Sequence, residues 1–222
     1  MSNKNYSIII PVYNEIANIS KLLNDLKYFS VHKHNEIIII DDGSNDGTEL
    51  ALKKCSFINL LVLDTNNGKG VAIKAGLNRA QNNKIILFDG DLELSTNGIK
   101  KLMVLDKDRN VECVFGSRYK TSVCISNYWD LGNFAFTALF NFIHKSNITD
   151  SLCCAKAFYK SSIDIDSLSS QKFGIDIELT KLLTSRFTKI TTVYLKYKRR
   201  NYLEGKKLHL IDGWSILKSL LY

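Results

Sequence analysis

The chain has one proline, Pro11, and no low-complexity or serine- and glycine-rich stretch, so nothing in it reads as a linker between domains. No fixed period repeats along it, which sets aside solenoids and propellers. No apolar run approaches the roughly 18 residues that a bilayer-spanning helix needs. The first residues, MSNKNY, lead directly into an apolar run without the basic, apolar and small-residue regions of a secretory signal. The expectation is a cytosolic protein, or one resting on a membrane surface that faces the cytosol. Cys55, Cys113, Cys124, Cys153 and Cys154 form no CxxC pair or metal-ligand spacing, and read as reduced, mostly buried thiols. His32, His34, His144 and His209 show no ligand spacing either. Two phosphate-binding motifs are missing, GxxxxGK(S/T) and a GxGxxG after a strand, so neither a P-loop nor a dinucleotide fingerprint applies.

What is present suits one α/β domain. At 222 residues and 45% apolar the chain can bury a substantial core. A net charge of +8 implies attraction to anions. Because the basic residues are spread along the chain, with one cluster at 196–207, a local phosphate site is favoured and no nucleic-acid partner is expected. Continuous apolar runs at 6–11, 36–40, 58–63, 84–88 and 111–115 read as buried strands. Helical spacing follows the first at Ile16, Ile19, Leu22, Leu23 and Leu26, with Asn14 as the expected cap. Further helices are expected from about Thr48, at 71–80 and at 98–105. Continuous strands separated by helices predict a parallel sheet covered on both faces. In such sheets ligands bind at the carboxyl ends of the strands, and here those ends carry Tyr13-Asn14-Glu15, Asp41-Asp42, 67–70, 89–93 and Gly116-Ser117-Arg118.

The fourth of these is the most pointed. In KIILFDGDLEL (84–94), Asp89, Asp91 and Glu93 alternate, so an extended backbone would aim all three the same way. Three converging carboxylates repel one another unless a cation offsets them. Oxygen-only ligands suit Mg²⁺ or Mn²⁺, and Mg²⁺ commonly binds through one or two carboxylates plus substrate phosphates. Gly90 is expected to let the backbone approach such a ligand.

IIIPVYNE (8–15), IIDDGSNDGT (39–48), NNGKGVAIKAG (66–76), DGDLE (89–93) and GSRY (116–119) together resemble the ordered motifs of family 2 glycosyltransferases. TDSLCCAKAF (149–158), FGIDIELT (173–180) and RNYLEGKKLHLIDG (200–213) resemble the branch that holds dolichyl-phosphate mannosyltransferase and bacterial polyprenyl-phosphate glucosyltransferases. The resemblance implies a single α/β domain of GT-A fold, a mostly parallel central sheet with helices on both faces, with a nucleotide and metal half at 1–119 and an acceptor half at 120–222. It implies that Pro11, Tyr13, Glu15, Asp42, Lys69, Asp89 and Gly90 bind the nucleotide, and that Asp89, Asp91 and Glu93 hold Mg²⁺ or Mn²⁺. Arg118, Arg200 and Lys206 would meet phosphates, and Asp91, Arg118 and Asp150 would be catalytic. The chain departs from the branch at Leu94-Ser95-Thr96, where Tyr-Asp-Pro is usual, and near Trp129-Asp130, where it lacks a basic residue.

The implied reaction is metal-dependent inverting transfer of a sugar from a UDP- or GDP-sugar to a polyprenyl or dolichyl phosphate. An ionised lipid phosphate needs no protein base, and Arg118 is expected to hold it through two parallel hydrogen bonds. A saccharide hydroxyl in surface-glycan assembly would need a base, with Asp150, Asp176 and Glu178 as candidates. A relative that binds a nucleotide without transferring anything is the third reading. The loop 200–207 is expected to close over bound nucleotide. The apolar segment 134–143 (FAFTALFNFI) reads equally as a core helix or as a peripheral contact with a membrane.

Overall fold

A computed structural model describes residues 5–31, 35–120 and 128–200. The elements in chain order are β1 (Tyr6–Val12), α1 (Ile16–Val31), β2 (Glu36–Asp41), α2 (Thr48–Lys53), β3 (Asn59–Val62), α3 (Lys69–Arg79) and β4 (Lys84–Leu87). They continue with α4 (Gly98–Leu102), β5 (Cys113–Ser117), α5 (Tyr128–His144), β6 (Lys156–Tyr159), α6 (Ile175–Arg186) and β7 (Thr191–Tyr194). The strands form one sheet in the order β3-β2-β1-β4-β6-β5-β7. All neighbours are parallel except β6, which runs antiparallel to both β4 and β5.

The alternation within each strand divides the core. Ile8, Ile10 and Val12 face α1, α2 and α4 on one side of the sheet. Ile9, Ile38 and Ile40 face α3, α5 and α6 on the other. The result is the expected α/β GT-A layering, with helices on both faces of a mostly parallel sheet.

Pro11 occupies a central strand without leaving a ladder bond unmade. Val12 turns its carbonyl toward the β2 side, where it accepts from Asp42 N–H at 2.9 Å. Its neighbour Pro11 therefore faces the β4 side, beyond the last pair Ile9–Leu87. A residue without an N–H ends the β1–β4 pairing there and frees the chain to turn toward the site.

The one antiparallel strand, β6, agrees with a mostly parallel sheet; the sequence alone does not place it because Lys156 breaks the apolar run of KAFY, yet that residue is buried and its ammonium donates to the Cys153 carbonyl. Two expectations need correction. Asn14 does not cap α1. Its φ is 48° and its side-chain oxygen accepts from Asn45 N–H, while Asp46 takes the Ile16 N–H at 3.0 Å. Gly90 serves packing: a Cβ there would lie 2.4 Å from Val12 Cγ1 and 3.1 Å from Ile10 Cγ2, so the absent side chain makes room for the core.

Candidate active site

The carboxyl ends of the strands converge on a cleft lined by Asp89, Asp91, Glu93, Leu94, Arg118, Leu152, Cys153, Cys154 and Tyr197. It brings the end of β4 against the end of β5 and the segment entering β6. The three acids reach it by a turn, since β4 ends at Leu87 and Leu92 has φ 60°. Within that turn Glu93 N–H donates to Asp91 Oδ1 at 3.0 Å. Residues 93–95 then pair with 196–198 through Lys198 N–H to the Glu93 carbonyl and Ser95 N–H to the Lys196 carbonyl. This pairing carries Arg199 and Arg200 to the rim.

Each acid meets a different environment. Asp89 is neutralised by Lys69, whose ammonium lies 2.8 Å from Asp89 Oδ1 and 2.8 Å from Asp176 Oδ2. Burial works against ionisation of both Lys69 and Asp89. The attraction of Asp176 and Asp89 nonetheless holds Lys69 charged well above the usual lysine range, and Lys69 holds Asp89 below the usual carboxylate range. Asp91 has no such partner at full strength. Burial, and then the charges of Asp89 and Glu93, push it up to about 7, against the pull of Arg200 at 3.3 Å. Arg200 also donates to Glu15 at 2.9 and 3.1 Å, and its backbone N–H reaches Glu93 Oε1 at 2.9 Å.

These surroundings test the expected metal. Among the described residues no three His, Cys, Asp or Glu side chains form a ready-made ligand set. Asp91, crowded by like charge, is the oxygen donor a divalent cation would relieve, with Glu93 beside it. Asp89 is already balanced by Lys69. A set of one or two carboxylates open to a cleft fits an ion that takes its remaining ligands from phosphates and water.

Arg118 is tied to Asp150 by three bonds. Its Nε and Nη2 donate to Oδ2 and Oδ1 at 2.8 and 2.7 Å, and its backbone N–H donates to Oδ2 at 3.0 Å. Burial opposes the guanidinium charge, but Asp150 overrides it and holds Arg118 protonated well above the ordinary range. The Asp150 side chain is fully enclosed, so it anchors Arg118 and is not placed as a base. The two-pronged edge expected to grip a phosphate is the edge given to Asp150, and among the described residues no partner takes Nη1. The rings of Tyr119 and Tyr197 lie 5.7 and 5.6 Å from the guanidinium carbon.

The remaining candidates lie at the ends of β1 and β2. Pro11 and Tyr13 are half-buried. Glu15 is enclosed and bound to Arg200. Asp42 is spent holding the loop after β3, accepting from Asn67 and Gly68 N–H at 2.9 and 2.8 Å. Lys69 bridges Asp89 and Asp176. The first turn of α3 is likewise covered by the chain itself, because Gly70 N–H donates to the Gln171 carbonyl at 2.7 Å. Glu178 accepts from Ser169 and Ser170 N–H. Lys206 and 201–207 lie outside the described residues, so of the expected lid only Arg200 is seen, and it is engaged with Glu15, Asp91 and Glu93. The cation missing from the sequence near Trp129-Asp130 arrives from elsewhere: Arg199 Nη2 reaches Asp130 Oδ1 at 3.2 Å, and Tyr119 donates to the same oxygen.

Lys69→Met should leave Asp89 and Asp176 buried together with no cation, at a cost of about 3–5 kcal/mol. A thermal melt should record a drop of several degrees. An unchanged melting temperature would show the bridge to be energetically idle.

Residues 7–177 match the profile of Glycosyl transferase family 2. The human dolichyl-phosphate beta-glucosyltransferase is 28% identical, over 99% of this chain and 74% of its own. The UDP-N-acetylglucosamine–dolichyl-phosphate N-acetylglucosaminyltransferase of Methanococcus voltae is 26% identical, over 100% of this chain and 96% of its own. In fold the chain is similar to glucosyl-3-phosphoglycerate synthase of Mycobacterium tuberculosis, at 18% identity and a TM-score of 0.74 over 99% of this chain and 80% of that one. The same enzyme has been solved with Mn²⁺ and UDP-glucose, and that structure gives a TM-score of 0.71 at 17% identity, over 99% of this chain and 77% of that one. A family match spanning β1 to the first turn of α6, on the sheet that builds the carboxylate and arginine cleft, settles the class: the chain belongs to glycosyl transferase family 2 and is a glycosyltransferase.

Proposed function

We propose that the enzyme transfers a sugar from a UDP-sugar to a polyprenyl phosphate, with inversion at the anomeric carbon and with a divalent metal held by Asp91 and Glu93. An oxygen of the acceptor phosphate attacks the anomeric carbon, the bond from that carbon to the diphosphate breaks, and nucleoside diphosphate leaves with the electron pair. A bound Mg²⁺ or Mn²⁺ would offset the charge growing on that leaving group. Arg200, already at Asp91, is the fixed cation nearest to it, and such preorganised charge is worth most where charge develops. Arg118, locked by Asp150, offers its remaining hydrogens to the acceptor phosphate.

The observation that carries this reading is that every acid considered as a base is already engaged. Asp150 is bonded to Arg118, Asp176 to Lys69, and Glu178 to the 169–170 backbone. A phosphate acceptor, ionised near neutral pH, needs no proton removed. A sugar hydroxyl does. The names of the human and Methanococcus relatives support the lipid phosphate and the uridine donor. The test is release of nucleotide from a panel of labelled UDP- and GDP-sugars, with and without polyprenyl phosphate and with and without EDTA. UDP release that requires both lipid phosphate and metal is the expected result. Release stimulated only by saccharides would move the acceptor to a hydroxyl, and tight nucleotide binding with no turnover would leave a binding protein.

A further inference from the structure

Helix α5 is apolar on both sides: Phe140 is fully buried and Phe136 packs against the core, yet large apolar side chains also face outward. Its polar residues Asp130, Asn133, Thr137 and Asn141 recur at helical spacing on the side that faces the protein, and each is bonded there. Asp130 and Asn133 meet Tyr119, Thr137 meets Ser151 at 3.1 Å, and Asn141 holds the Ile148 backbone at 2.9 and 3.0 Å. The opposite side is exposed and apolar from residue 131 to residue 143. Leu131 is 50% exposed, Phe134 42%, Leu139 38% and Phe142 83%, with Ile143, Ala135 and Ala138 completing the stripe. No charged or hydrogen-bonding side chain interrupts it. A surface helix ordinarily turns its apolar stripe inward, and an exposed contiguous one marks an interaction site.

We propose that this stripe is a bilayer-docking surface, seated at the headgroup and acyl boundary of an anionic membrane. The inference rests on the lipid-phosphate reading above and adds the face that meets the lipid. Three observations select lipid over a second copy of the chain. The stripe from residue 131 to 143 is about 20 Å long and one helix wide, well short of the roughly 800 Å² per partner of a stable protein interface. Between residues 131 and 143 the helix carries no charged side chain, unlike the polar rim such interfaces carry. The charge is complementary to anionic lipid: the chain carries +8, and the exposed Lys120 and Lys145 precede and follow the helix in sequence. An interfacial helix of this kind sinks about 5–10 Å into the headgroup region. The stripe also begins beside the site, since Asp130 and Asn133 on the first turns bind Tyr119, whose ring neighbours the Arg118 guanidinium. Docking through α5 would set the Arg118 end of the cleft toward the membrane surface.

The experiment is flotation of the full chain with vesicles of phosphatidylcholine containing phosphatidylglycerol and no polyprenyl lipid. It compares the wild type with Phe142→Glu and with Leu50→Glu, a substitution at another exposed apolar position (66% exposed) on α2. The wild type and Leu50→Glu should float, and Phe142→Glu should bind about tenfold or more weakly. Transfer to a short-chain polyprenyl phosphate in detergent should be unchanged in Phe142→Glu. Flotation of Phe142→Glu equal to wild type overturns the proposal, as does a wild type that ignores the vesicles. A wild-type dimer that Phe142→Glu converts to monomer would assign the stripe to a second copy instead. Failure to float combined with turnover of lipid phosphate in detergent removes the surface and leaves the acceptor reading standing. Flotation without any lipid-phosphate transfer does the reverse.

Discussion

Asp91→Asn should lower sugar transfer by about 10²–10³-fold, the scale on which removing one preorganised electrostatic element acts, while raising the stability of the metal-free chain above neutral pH. The second half follows from the crowding of Asp91. Its pKa is pushed up to about 7 by burial and by Asp89 and Glu93, whereas in an unfolded chain it lies near 3.9. The folded state therefore binds this proton more tightly than the unfolded state. The associated stability is fully present below the unfolded pKa and is lost as pH rises through the window from about 4 to 7. Above that window the wild type carries a repulsion that asparagine lacks, and the variant should melt higher, by roughly 2–4 °C for each kcal/mol relieved. Near pH 4 the two should converge. Melts at pH 5 and pH 8, with and without Mn²⁺ and UDP, measure both effects. A variant that keeps the wild-type Mn²⁺-dependent shift would take Asp91 out of the metal site.

The second large effect concerns Arg118 and Asp150. Removing one partner of a buried, hydrogen-bonded ion pair strands the other, so Arg118→Ala and Asp150→Ala should each cost about 3–5 kcal/mol. For a chain of this size that is roughly 6–20 °C in melting temperature. The double substitution should cost clearly less than the sum, because no charge is left stranded. Kinetics separate this anchoring from catalysis. Arg118→Lys keeps a cation but loses the planar fork that Asp150 grips in two places, so it should raise the acceptor KM more than the donor KM. An Asp150→Asn enzyme with wild-type kinetics and stability would contradict the anchoring role. Additive costs in the double variant would show that the two side chains act independently.

Most of the first half of the sheet was legible because its physics is local. Continuous runs such as EIIII bounded by Asp41-Asp42 leave little choice but a buried strand, and β1, β2 and β4 fall within two residues of their expected ends. The polar residues at those strand ends were legible for the same reason. What was missed depends on tertiary partners. Lys156 makes β6 unreadable as an apolar strand until the Cys153 carbonyl is seen above it. The bridging role of Lys69 needs Asp176, which is 107 positions away in sequence. The cation at Asp130 comes from Arg199, 69 positions on. The alternation of Asp89, Asp91 and Glu93 pointed to a common cleft through an extended backbone, whereas a turn with Leu92 at positive φ brings them there.

The antiparallel strand also bears on how the chain emerges from the ribosome. β5 is synthesised before β6, yet the sheet seats β6 between β4 and β5. Until Tyr159 is translated, β5 has no neighbour on its β4 side, and the four-stranded block β3-β2-β1-β4 ends in an open edge. That β4 edge stands unpaired while roughly 70 residues, from Leu87 to Tyr159, are added, about 4–14 s at 5–20 residues per second. The nascent chain thus passes through an interval in which a half-built sheet exposes the buried faces of Ile85 and Leu87, and a fragment ending near Tyr119 would remain in that interval permanently.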